Sequence, residues 1–167
     1  MGRMGRQRMG RQRTRGFTLI ELMIVLTIAG VLAVIAAPSM TEMIAGVRLR
    51  SAASDMLASM LYARSEAVKR GSSATIVPNG GDYATGWNVL VGTTVLKTVQ
   101  APTGVDAISA GTITYGGNGR LTGTAAFDLQ IKNSTYPKVQ MRCVKADLSG
   151  KPYVALDTNG NASDGCN

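Results

Sequence analysis

With 167 residues, the chain has room for one small domain and one further element, not for several packed cores. It contains no histidine, which removes the usual general base, the usual activator of a nucleophile and the commonest zinc ligand. The formal charge of +8 is carried largely by six arginines in the first sixteen residues; without them 12 basic side chains face 10 acidic ones, so global charge does not announce a nucleic-acid binder.

The first sixteen residues hold no acid, end at Gly16 and repeat a short unit: MGR, MGRQR, MGRQRTRG. Met1, Met4 and Met9 are each an eligible start, and no twin arginine marks a Tat signal. From Phe17 to Ala37 every residue is apolar or small except Glu21 and two threonines. Twenty-one helical residues span about 31 Å, the thickness of a bilayer core, and an ionised Glu inside such a span costs a few kcal/mol unless neutralised. A secretory signal is cut after its apolar region. Here the basic part stops at a glycine before it, so the apolar helix is expected to stay in the mature chain, beginning at Phe17.

Gly16-Phe17-Thr18-Leu19-Ile20-Glu21 resembles the processing site and first helix of type IV pilins and type II secretion pseudopilins, and Pro38 stands where that family has its helix-kinking proline. Tyr62-Ala63-Arg64-Ser65-Glu66-Ala67 is similar, more narrowly, to the FimT/FimU (GspH-like) group. The resemblance covers Arg15 to about Gly71. It implies cleavage by prepilin peptidase after Gly16 and methylation of Phe17. It also implies assembly with other major and minor pilins through the helix, with Glu21 pairing with the Phe17 amine of a neighbour. The alternative for Glu21 is a side chain snorkelling to the interface.

Three segments follow: a leader, 1–16; a pilin-type helix, 17–71, including the transmembrane stretch 17–37; and a β-rich head, 72–167. Beyond Pro38, Leu49, Ala53, Met56, Met60, Ala63 and Ala67 recur at helical spacing, widened by Leu57, Leu61 and Val68, while Arg48, Asp55, Ser59 and Glu66 face elsewhere. Only this half can receive a domain. From Ser72, short alternating runs predict strands at 73–77, 86–91, 94–100, 112–115, 124–131, 137–145 and 151–156. The expected fold is α+β, the type IV pilin fold: a long N-terminal helix packed on an antiparallel sheet.

No nucleophile elbow, P-loop or dinucleotide fingerprint occurs, and Glu21, Glu42 and Glu66 all lie on the helix, so neither catalysis nor a cofactor is expected. Asp157-Thr158-Asn159-Gly160-Asn161 opens like a calcium loop, but Ala162 replaces the required glycine; a turn explains it better. Export of the head to the periplasm favours a disulfide between Cys143 and Cys166 over two free thiols. Lys132, Lys138, Arg142, Lys145 and Lys151 form a late basic cluster. In FimT-like relatives a Gly-Arg-x-Arg pattern between the late cysteines serves DNA uptake; Gly150-Lys151-Pro152-Tyr153 has one lysine for two arginines, a weakened site at best. The reading is a structural minor pilin, first in the inner membrane with its head in the periplasm and then in a surface pilus, priming assembly. The alternatives are a DNA-binding pilin for transformation and a type II secretion pseudopilin.

Overall fold

The computed structural model describes residues 16–108, 111–159 and 166. Residues 1–15 of the expected leader, the turn at Gly160 and Asn161 and the remainder of the calcium-like run lie outside the described residues. One helix, α1, runs Leu19–Arg70, and the chain divides after Pro38 into two compact units. In the first, Leu19–Ala36 has a mean hydropathy of 2.7 and none of it is buried.

The second unit begins with the amphipathic part of α1. Ala45, Leu49, Ala52, Ala53, Met56, Met60, Ala63 and Ala67 are buried at spacings of three and four. Leu61 and Val68 do not join this stripe; each is about half exposed, whereas Ser59 and Glu66 are buried, against the expectation from sequence. Both departures have polar causes. Ser59 accepts the indole N–H of Trp87 at 2.9 Å while its hydroxyl donates to the Asp55 carbonyl at 2.7 Å. Glu66 takes Arg70 Nε at 2.8 Å, one turn on. The helix stops at Gly71, whose φ of +61° lets its N–H reach the Val68 carbonyl while Ser72 N–H reaches Ala67. This pair of bonds is the Schellman closure, and glycine adopts its left-handed residue without a Cβ penalty.

Among the described residues eight strands follow: β1 Ala74–Pro78, β2 Trp87–Val91, β3 Thr94–Val99, β4 Asp106–Ile108, β5 Ile113–Tyr115, β6 Phe127–Lys132, β7 Arg142–Ala146 and β8 Pro152–Leu156. All pairings are antiparallel, but they make two four-stranded sheets, ordered β3-β2-β1-β5 and β4-β6-β7-β8. The sequence reading missed β4, whose three residues are too short to alternate, and began β7 too early. The stretch 137–141 is a loop: Pro137 has no N–H to give, Val139 N–H closes a turn on Tyr136, and the Gln140 side chain bonds the Asp157 carbonyl. The helical stripe and both sheets share one core, bridged by Tyr83, whose ring centroid lies 6.2 Å from Trp87 of one sheet and 6.3 Å from Phe127 of the other.

Candidate functional site

The first turn of α1 is built by four residues. Leu19 is the first helical residue, so Thr18 is the N-cap and Glu21 the third position. The Glu21 amide donates to Thr18 Oγ1 at 3.2 Å, and the Thr18 amide and hydroxyl each donate to Glu21 Oε2 at 3.3 Å. That is the reciprocal capping box, S/T-x-x-E, written in the sequence as Thr-Leu-Ile-Glu. The carboxylate therefore sits over the positive end of the helix dipole, next to the backbone nitrogen of Thr18. Phe17 itself is 87% exposed. Pro38 lies inside α1, where its missing N–H leaves the Val34 carbonyl without the usual donor four residues on.

The late basic residues do not gather. Lys132 pairs with Asp106 across β4 and β6, and Lys145 with Asp128 across β6 and β7, on the sheet face away from the helix. Lys145 Nζ is 3.5 Å from Asp128 and donates to the Cys166 carbonyl at 2.9 Å. Arg142 points to the opposite face, with Val144 and Ala146; Lys138 is in the loop before β7 and Lys151 in the turn after it. Lys151 neighbours Asp147, whose carboxyl is held below the usual range first by the Ser149 hydroxyl. A duplex rewards cations in a row along its phosphates; these five are divided among faces and ends. Cys143 and Cys166 are joined, with Cα atoms 5.9 Å apart, and pack with Met141 in a small second core on that outer face.

The run Tyr62–Ala67 has a physical role that sequence reasoning did not find. Arg64 Nε donates to the Gly119 carbonyl at 2.9 Å and Nη2 to the Ser149 carbonyl at 3.5 Å. The first acceptor follows β5 in one sheet, and the second precedes β8 in the other. A Cβ on Gly117 would strike the Gly71 carbonyl group, and one on Gly150 the Gly119 carbonyl oxygen. So Arg64 ties together two loops that touch backbone to backbone. The Tyr115 hydroxyl is buried without a hydrogen-bond partner among the described residues, and its pKa is pushed up to about 12, chiefly by burial. The glycine-rich run 116–119 was the legible half of this arrangement; its acceptor carbonyls carry no side-chain signal.

The described chain thus combines an apolar span headed by a capped carboxylate with a head built on the later part of the same helix. Residues 52–150 match the family described as type II transport protein GspH, and residues 11–37 match the prokaryotic N-terminal methylation motif. The chain belongs to this GspH family, the FimT/FimU-like group of minor pilins and pseudopilins, whose members are structural proteins and not enzymes. Two crystal structures of the type IV minor pilin FimU from Pseudomonas aeruginosa share the fold, with TM-scores of 0.58 and 0.56. Each is 22% identical and covers 71% of this chain, the match taking in 95% and 99% of the two FimU chains. No curated protein sequence matches the chain.

Proposed function

We propose that the chain is a minor pilin of a type IV pilus. It is cleaved after Gly16, is held in the inner membrane through residues 17–37 with its head in the periplasm, and is then drawn into the filament or its tip to prime assembly. The observation that carries this reading is the capped first turn: Glu21 heads a wholly exposed apolar helix, where a carboxylate is costly unless a cation joins it. The α-amino group of Phe17 on a neighbouring subunit is such a cation, freed by cleavage and carried at the same end of an identical type of helix. Pairing sets the register of helix on helix.

The test begins with mass spectrometry of the membrane fraction, which is expected to find a chain starting at N-methylated Phe17. A mature chain still carrying the arginines sinks the proposal. The chain should then appear in sheared pili. A second reading, a type II secretion pseudopilin, is favoured by the match to the type II transport protein GspH family. Recovery with secretion-system pseudopilins, and absence from sheared pili, would select it.

A further inference from the structure

Past the apolar span Leu19–Ala36, α1 keeps an exposed apolar strip: Met40, Met43 and Val47 are more than half exposed and Ile44 nearly so. Glu42 is the one charge between Ala36 and Arg48. Within the second unit, Thr41, Ile44 and Arg48 of α1 line a groove of about 280 Å³, together with Gly104, Asn133 and Tyr136. The three helical residues are four and three apart and share a face, whereas Glu42 stands about 120° round the helix from Arg48.

Hydrogen bonds fix the walls of this groove. Arg48 Nη1 donates to the Thr103 carbonyl at 3.2 Å. The buried Asn133 donates through Nδ2 to the Gly104 carbonyl and accepts the Tyr136 N–H at 2.8 Å. A Cβ on Gly104 would stand 3.6 Å from Arg48 Nη1 and 3.8 Å from Asn133 Nδ2, so guanidinium and amide flank the space this glycine leaves. Only one of the five guanidinium donors is used here, and among the described residues that line the groove Arg48 is the sole charge.

We propose that the groove binds the phosphate of an anionic phospholipid from the bilayer that holds the span, with Arg48 as its cation and Ile44 and Met40 against the acyl chains. Before a neighbour's amine joins it, the Glu21 carboxylate is least costly at the membrane interface. A hydrocarbon core of about 30 Å counted from there takes about twenty helical residues and ends near Thr41. Arg48 is about 10 Å further along the helix, and helical side chains lean toward the N-terminus, which brings the guanidinium down toward headgroup depth. A lipid suits the groove better than a protein carboxylate, because the apolar strip leading to the cation continues the span itself. That a bilayer lies beside the groove rests on the membrane reading of residues 17–37; the cation and its apolar rim do not.

The experiment uses the full processed chain in dodecyl maltoside micelles, titrated separately with phosphatidylglycerol, phosphatidylcholine, inorganic phosphate and hexaglutamate. Lipid retained per chain is counted by native mass spectrometry, and the Arg48 Nε resonance reports the place. Phosphatidylglycerol is expected to shift Arg48 saturably and to bind about fivefold more weakly to Arg48→Gln. Phosphatidylcholine, whose ammonium offsets its phosphate, should bind the parent more weakly than phosphatidylglycerol does. Lys97→Gln, on β3, should bind as the parent does. Ile44→Ser leaves the bond from Arg48 to Thr103 in place and should weaken lipid binding severalfold, which decides the matter if the glutamine variant does not fold. Equal binding of phosphatidylglycerol to the parent and to either groove variant overturns the proposal. So does phosphatidylcholine binding as tightly, or inorganic phosphate or hexaglutamate shifting Arg48 at a lower concentration than the lipid. A chain that fails to sediment with membranes would defeat the membrane reading and leave this titration untouched.

Discussion

At the scale of single residues, Glu21 has two partners in view, and they can be separated. Within its own chain it closes the capping box, so Glu21→Ala and Thr18→Ala should each fray the first turn by about 1 kcal/mol. On the proposed pairing, only Glu21→Ala also removes the charge offered to a neighbouring amine. Measured as chain in sheared pili relative to the membrane fraction, Glu21→Ala should fall well below Thr18→Ala, with Glu21→Gln between them. Equal losses would mean that the cap alone matters. Within the head, Ser59→Ala strands the buried indole N–H of Trp87 and should cost about 1–3 kcal/mol in denaturant titration. Tyr115→Phe should instead be neutral or slightly stabilising, since the hydroxyl it deletes is buried without a partner.

Among elements, the end of α1 and the two loops it holds form one unit. Gly150 has a φ of +80° and no space for a Cβ against Gly119, so Gly150→Ala should cost about 2 kcal/mol or more. Arg70 lowers the Glu66 pKa from its usual 4.5, with burial opposing. The sign follows: this contribution is fully present above pH 4.5 and is lost as pH falls through the lowered value. Acid unfolding of Arg70→Gln should therefore show a weaker loss over that window than the parent. The helix, its apolar half and most strands were legible because their periodicities are strong and the glycines punctuate them. Ser59 and Glu66 were not, since a polar residue on a helix reads as solvated until its buried partner, Trp87 or Arg70, is known. The division into two sheets was hidden for a similar reason. Alternation along Phe127, Leu129 and Ile131 says that one face is buried, not which strand lies beside it. The dispersal of the late lysines depends on register, which sequence order does not reveal.

For the whole molecule, the disulfide from Cys143 to Cys166, 23 residues apart, secures the outer face of the β4-β6-β7-β8 sheet. Chain entropy assigns such a closure about 3.5 kcal/mol, so Cys143→Ser with Cys166→Ser should shift denaturant midpoints by a comparable amount. Thiol labelling of the unreduced chain should find neither cysteine free. Trp87 supplies a way to watch all of this. It is the sole tryptophan, wedged between helix and sheet with its nitrogen held by Ser59 and its ring beside Tyr83. Its fluorescence is thus an optical gauge of one contact, the seating of α1 on the head. A red shift on denaturation marks the parting of helix and sheet. An unchanged emission maximum on transfer from micelle to filament would mean that the head travels into the assembly with its core closed.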